Sequence, residues 1–311
     1  MPSALSSRVG TMQFCRHRPP QMSTSVVSIG SFDGIHLGHQ CILSNLKKVS
    51  ENFQIPAWVL TFSPSPKAFF GRMGQGQLLS RRDKLERLRD MGVDGVWMPP
   101  FDANMARLSP RQFIDDLLLK QMGTRAIVIG TDFRFGYQRT GTPDDFRSAG
   151  IEVFHPTPVE ESGEWVSSSR IREALAAGDF DLVRSLLGRE YTLSGHVSHG
   201  AERGRQMGFP TANIVLRFEP PMKGVFVIET QWRNKTIVGL ANVGTRPTFD
   251  GEKRLCEAHF FDFDENLYGA NLTVTFLHKI RDEKKFSGMD ALVKQINADV
   301  TTAKQILSKQ L

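Results

Sequence analysis

"SIGSFDGIHLGHQ", residues 28–40, runs from the end of an apolar stretch into a helical pattern through a loop that carries two histidines three positions apart. Val26–Gly30 in front of it reads as a buried strand. The glycines let the backbone come close to a ligand, and a helix starting near His39 presents free N–H groups and the positive end of its dipole. Strand, glycine loop and helix start in succession make an anion site on an α/β frame. The same alternation continues outward. Ala57–Phe62, Gly95–Met98, Ala126–Gly130 and Ile151–Phe154 are further strand candidates separated by helical patterns, as in a parallel sheet with crossover helices. Two of those helices have clear starts and stops. Ser80 precedes "RRDKLERLRDMG" (81–92), with Asp83 three positions on as a capping partner and Gly92 past the end. Ser109, Pro110 and Gln112 open "RQFIDDLLLKQMG" (111–123) in the same way, the proline at a position whose N–H would be unpaired anyway.

After Gly188 the pattern changes. "YTLSGHVSHG", "GVFVIET", "KTIVGLANVG", "LCEAHFFDF" and "NLTVTFLHKI" are short strand-like runs separated by Gly, Asn and Pro, which predict an antiparallel barrel or sandwich. Helical periodicity returns only in the tail, from about Met289 to Leu307. The expected organisation is an extension without structure over 1–22, an α/β domain over 23–187 and a β domain over 188–311. No internal repeat or low-complexity segment interrupts it.

Composition narrows the function classes. A length of 311 residues suits two domains, and 40% apolar with 23% charged residues is ordinary for a globular chain. No apolar run approaches the ~18 residues of a membrane span. The net charge of +6 is dispersed among acids rather than gathered in blocks, so it reads as solvated faces with some phosphate contacts, not as a nucleic-acid surface. Cys15, Cys41 and Cys256 stand far apart without a CxxC pair, which fits a reducing, cytoplasmic setting and excludes a cysteine metal site. Arg8, Arg16 and Arg18 without an acid in the first 21 residues raise a transit peptide, but no apolar face accompanies them. An unstructured start, with Met12 and Met22 as later initiators, is the simpler reading. Oligomeric state is left open.

Several motifs carry chemistry. His36 and His39 beside the loop Gly30, Ser31, Phe32, Asp33 and Gly34 can donate hydrogen bonds to a phosphoryl group as charge builds on its oxygens. The plainer reading makes His36 a loop cap and His39 an ordinary helix residue. "VSSSRIREAL" (166–175) sets Ser168 and Ser169 at a helix start with Arg170 and Arg172 just inside, suited to the outer phosphates of a nucleotide. "GTDFRFGYQRTG" (130–141) follows the strand "RAIVIG" and places Asp132 at a carboxyl strand edge, within reach of a ribose, base or substrate hydroxyl. In the β domain, "GAERGRQMGFPTAN" (200–213) offers Gly200, Gly204 and Gly208 as a phosphate-covering loop, which Phe209 and Pro210 follow. Thr211 and Asn213, two apart on an extended segment, face one way and supply the hard oxygen donors that suit Mg²⁺ with phosphates. Glu257 in "LCEAHFFDFDENLYG" (255–269), between apolar neighbours, suits a base that takes a proton from an alcohol. There is no GxxxxGK[ST], so a kinase here needs another phosphate cradle.

The HxGH loop resembles the signature of nucleotidyltransferases that adenylate small phosphorylated vitamins, and "SSSRIREAL" resembles their second nucleotide motif. Together with "GFPTAN", "GTRPTF", "LYG" and "RDEKKF" in this order, the chain from about Val26 to its final helix is similar to the bifunctional bacterial riboflavin kinase/FMN adenylyltransferases, also called FAD synthetases. The resemblance implies a Rossmann-like nucleotidyltransferase domain followed by a riboflavin kinase-like antiparallel β-barrel with a terminal helix. The implied route phosphorylates riboflavin with ATP and Mg²⁺ in the barrel, then adenylates FMN to FAD in the N-terminal domain. His36 and His39 would stabilise the α-phosphate transition state, with Gly30–Gly34 and Asp132 lining that ATP site. Ser168, Ser169 and Arg172 would hold the leaving pyrophosphate. Thr211 and Asn213 would position ATP–Mg²⁺, Glu257 would act on the ribityl 5′-hydroxyl, and Arg246, Tyr268, Arg281 and Phe286 would meet the flavin. Ser65 in "TFSPSP" stands where the family has histidine and Ser31 where it has asparagine, and the segment from Gly141 to Ile151 is short. These departures fall on the adenylating half, so a riboflavin kinase with a slow or degenerate second domain is the alternative.

Overall fold

Ser25–Ile29 (β2) is buried at every position, as a parallel strand covered on both faces must be. The computed structural model describes residues 12–19, 21–71, 76–198, 209–248 and 251–309, without the side chains of 246–248 and 251–253. In it β2 lies inside a six-stranded parallel sheet of order β1-β4-β3-β2-β5-β6. The other strands are Gln13–Cys15 (β1), Ala57–Leu60 (β3), Gly95–Trp97 (β4), Thr124–Val128 (β5) and Glu152–Phe154 (β6). The five strands expected from apolar runs are all present, one or two residues shifted at their ends.

The first strand is a correction. Residues 13–15 were expected to be unstructured, yet they pair in parallel with Gly95–Trp97, and Trp97 Nε1 donates to the His17 carbonyl at 3.0 Å. Three residues show no periodicity of their own; the open edge of β4 supplies the partner for their N–H and C=O groups.

The helices follow their caps. Leu37–Phe53 (α1) follows the histidine loop, and Pro66–Phe69 (α2) starts at Ser65, whose hydroxyl accepts the Ala68 N–H at 3.3 Å. Serine therefore serves as a cap where the family motif has histidine. Arg81–Asp90 (α3) begins with the reciprocal bonding expected of Ser80 and Asp83, at 3.0 Å and 2.7 Å. Ala103–Arg107 (α4) and Pro110–Gln112 (α5) precede β5, and α5 opens with the full capping box of Ser109 and Gln112. The helix expected beyond it is π-helical over Phe113–Leu119, with Lys120 N–H donating five residues back to Asp115 at 3.0 Å. Pro143–Ser148 (α6) leads into β6, and Glu160–Glu161 (β7) pairs with Glu164–Trp165 (β8) in a small hairpin. The core of this half gathers Val27, Leu60, Trp97, Leu118, Ile127 and Phe146 from sheet and helices.

The chain divides into two compact units, Met1–Gly74 with Lys84–Val166, and Gln75–Asp83 with Ser167–Leu311. Ser168–Ala177 (α7) and Phe180–Leu187 (α8) thus group with the β part, Phe180 meeting Phe226 edge-on at 5.8 Å, although the composition changes only after Gly188. Tyr191–Ser198 (β9), Ala212–Val215 (β10), Gly224–Trp232 (β11), Lys235–Thr248 (β12), Gly251–Phe260 (β13) and Asn271–Arg281 (β14) close an antiparallel barrel of order β10-β13-β12-β11-β14-β9. The register resolves the choice between barrel and sandwich. Alternate residues Leu193, Ile214, Phe226, Ala241, Cys256 and Val274 are buried to within 1% exposure as the barrel filling. Met289–Ser308 (α9) lays Ala303 on the outer face formed by Val225, Val227 and Leu240.

Candidate active sites

His36 is the N-cap of α1, and its Nδ1 accepts the His39 backbone N–H at 3.3 Å. The helix therefore starts at Leu37, two residues earlier than expected. The two imidazoles stack with ring centroids 3.7 Å apart, and Phe32 lies 5.1 Å from His39. Gly38 makes this possible: a Cβ there would press on the His36 ring at 3.2 Å and on the Val166 carbonyl at 3.4 Å. The preceding loop is held in left-handed conformations at Phe32 (φ 46°), Gly34 (φ 87°) and Ile35 (φ 41°). Such conformations cost roughly 1–3 kcal/mol at non-glycine positions and persist only where packing over-determines them. Here Phe32 and Ile35 are buried to 1% and 2% exposure.

His36 is 6% exposed, so the ring that caps α1 is itself buried. Nδ1 as acceptor assigns the ring proton to Nε2, a hydrogen-bond donor. His39 Nδ1 is buried with no hydrogen-bond partner among the described residues. Burial, then the neighbouring His36 and Lys84, hold the His39 pKa well below its ordinary 6.5, so the ring is neutral at pH 7. Asp33 is buried and Ser31 is exposed. Asp132 is exposed in the turn after β5, at the same carboxyl edge of the sheet as the loop after β2.

Ser167, one residue ahead of the expected pair, caps α7 by accepting the Arg170 N–H at 3.3 Å, which leaves Ser168 and Ser169 in the first turn. Arg172 is buried, with Nε donating to the Gly76 carbonyl at 2.9 Å and Nη1 to that of Ser168 at 3.1 Å. Two of its donor positions are thus spent on backbone.

On the barrel, Asn213 of β10 stands directly opposite Glu257 of β13 on one side and Ser198 of β9 on the other. Glu257 faces Asn242 of β12 across its other edge. The row Ser198–Asn213–Glu257–Asn242 lies on the outer wall, opposite in parity to the filling. Asn213 is buried, Glu257 half-buried, and half-buried Thr211 comes just before β10. The apolar neighbour Cys256 does not desolvate Glu257, because consecutive side chains of a strand point to opposite faces. Its thiol is instead enclosed in the filling, where burial and then the Glu257 charge push its pKa up to about 12. His259 Nδ1 lies 2.9 Å from the Pro210 carbonyl, and its ring meets Phe209 edge-on at 5.4 Å, fixing the approach to Thr211.

The residues expected at the flavin are only partly gathered. Arg281 Nε lies 2.9 Å from Asp299 Oδ2 and its Nη2 2.8 Å from the same oxygen, while Nη1 donates to the Asp282 carbonyl at 3.0 Å. Its guanidinium sits 5.7 Å from the Phe286 ring. Arg281 thus ties β14 to α9 and supports Phe286. Tyr268 lies at the surface in the loop after β13. Gly200, Gly204, Gly208 and the Arg246 side chain fall outside the described residues.

Lys84, which bonds the Ser31 carbonyl, and Asn242 and Ser198, which flank Glu257 and Asn213, do not stand out in the sequence. For Lys84 a signal existed, a lysine one residue past a capping acid, but it was masked by the other charges of that helix; the other two emerge only from strand register.

The FAD synthetase family matches residues 18–170 and the riboflavin kinase family residues 187–307. A Pseudomonas fluorescens protein described as bifunctional riboflavin kinase/FMN adenylyltransferase is 38% identical over 293 residues, 92% of this chain and 94% of that protein. The chain belongs to the bifunctional riboflavin kinase/FMN adenylyltransferase family. The Haemophilus influenzae member is 40% identical over 89% of this chain and 92% of its own length. A crystal structure of a macrolide-efflux protein from Streptococcus pneumoniae shares the fold, with a TM-score of 0.74 and 34% identity over 91% of this chain and 94% of that one. Among the described residues here, no helix is long and apolar enough to cross a membrane. Because both family matches are present, the two-activity reading stands over the kinase-only one.

Proposed function

We infer that this chain makes FMN from riboflavin and ATP on its barrel, over residues 188–311, and FAD from FMN and a second ATP in its parallel-sheet domain, over 23–187. The observation that carries the reading is the presence of both family matches on one chain, one over the parallel-sheet part and one over the barrel.

In the kinase step Glu257 takes the proton of the ribityl 5′-hydroxyl, the oxygen forms a bond to the γ-phosphorus of ATP, and the electron pair of the broken P–O bond leaves with ADP. Thr211 and the buried Asn213, across the strand pair from Glu257, offer a hydroxyl and an amide oxygen, the hard donors that fit Mg²⁺ carried in with the nucleotide. That ion supplies neutralisation of phosphate charge. Phe286, backed by Arg281, offers an apolar face for the flavin.

In the adenylation step a phosphate oxygen of FMN bonds to the α-phosphorus of ATP and pyrophosphate departs with the electron pair. The start of α1 receives phosphate oxygens on free N–H groups, and His36 Nε2–H donates to charge that develops in the transition state. Arg172 secures the first turn of α7 through the Ser168 carbonyl; the family resemblance gives Ser168, Ser169 and Arg172 the outer phosphates.

Purified protein incubated with riboflavin, ATP and Mg²⁺, with the flavins separated over time, is expected to yield FMN and then FAD with one pyrophosphate per FAD. FMN accumulating without FAD overturns the two-activity reading. Replacement of Mg²⁺ by Mn²⁺ or Ca²⁺, or its removal by a chelator, tests the choice of ion.

A further inference from the structure

We propose that Lys84 is a positioning residue for adenylyl transfer, holding the Ser31 carbonyl of the loop that carries Asp33 and leads into the His36–His39 pair. Lys84 lies on α3, one residue beyond Asp83, the partner of the Ser80 cap. Its Nζ donates to the Ser31 carbonyl at 2.7 Å, and the Thr61 hydroxyl after β3 donates to the same oxygen at 3.4 Å. The loop that carries Phe32, Gly34 and Ile35 in left-handed conformations is thereby pinned at its first residue from two directions.

Burial lowers the Lys84 pKa, and the Asp33 carboxylate works against that loss. The charged and titratable groups acting on His39 are His36 from its own element and Lys84 from α3; Asp33 acts on Lys84, and the contacts from Phe32 and Thr61 are uncharged. A cation in this place disfavours a proton on His39, so that ring meets the phosphates in its neutral form. The inference rests on the adenylation reading given above.

The test is FAD formation from supplied FMN by the full chain carrying Lys84→Met, Lys84→Gln or Lys84→Arg, followed across pH, with the His39 Cε1–H resonance titrated alongside. The thermal midpoint of the parallel-sheet domain, followed by circular dichroism, reports whether that domain is folded in each preparation. Loss of the cation in Met and Gln is expected to lower the rate on the order of tenfold, the scale of one hydrogen bond to a charged group. The same two variants shift both the acid limb of kcat/KM and the His39 titration to higher pH, and Arg restores rate and profile together. Gln keeps a donor for Ser31, so the pH shift remains readable should Met not fold. An acid limb and a His39 titration unchanged from wild type in Gln, or Arg no better than Met, overturns the inference. Absence of FAD formation by the wild-type chain would instead overturn the adenylation reading.

Discussion

His36 accepts the backbone N–H of His39 through Nδ1 and stacks its ring 3.7 Å from the His39 ring, so one side chain both starts α1 and orients the second imidazole. Under the adenylation reading proposed above, structural cap and phosphoryl donor are two uses of the same ring. Capping uses Nδ1 as acceptor and so assigns the ring proton to Nε2.

This duality can be separated by substitution. His36→Asn retains a good N-cap, whereas His36→Ala removes cap and ring together, at about 1 kcal/mol for the cap. Both are expected to lose about 10²–10³ in FMN adenylation, the usual loss for one transition-state donor. Only Ala should also lower the thermal midpoint of the parallel-sheet domain. Retained FAD formation in Asn would show that the ring's second nitrogen is idle.

The neutral, buried His39 has a consequence for acid stability. Its folded pKa lies below 6.5, so between that value and 6.5 the unfolded chain binds a proton that the folded chain does not. Its contribution is complete above pH 6.5 and is lost progressively as pH falls below it. Urea midpoints measured from pH 7.5 to 5 should decline with a steeper slope for wild type than for His39→Gln.

Glu257→Gln should abolish FMN production from riboflavin while FAD formation from supplied FMN continues. Because Asn213 stands directly opposite Glu257, Asn213→Leu should weaken the same step chiefly through ATP–metal binding, raising KM for ATP. Loss of both activities in a folded Glu257→Gln chain would refute the division of labour.

Arg281 and Asp299 form a largely enclosed ion pair, with side-chain exposures of 13% and 4%. Asp299→Ala leaves the guanidinium without its partner, a change that costs ~3–5 kcal/mol when a buried pair is broken. The barrel transition in thermal unfolding should fall accordingly, and riboflavin binding should weaken with it as Phe286 loses its support.

Cys256, with a thiol pushed up to about 12 inside the barrel filling, should resist a thiol reagent at pH 8 until the chain is denatured. Mass mapping of labelled peptides under native and denaturing conditions reads this directly.

Local chemistry was fully legible in the sequence wherever it acts over a few residues. The parallel strands announce themselves as apolar runs, and the caps at Ser80 and Ser109 are set by partners three positions away. The HxGH loop was legible for the same reason, since its glycine and both histidines lie on one turn. What the sequence could not hold was any relation between segments paired from afar. The strand at Gln13–Cys15 exists because β4 has an open edge. The row Ser198–Asn213–Glu257–Asn242 exists because three strand registers align, and a shift of one residue would turn each of these side chains to the other face of the barrel wall. Lys84 reaches Ser31 across 53 positions of chain, and Arg281 is claimed by Asp299 from the last helix. Periodicity and capping are properties of neighbouring residues and fix the elements; pairing and burial are properties of the folded whole and decide which side chains those elements bring to one place.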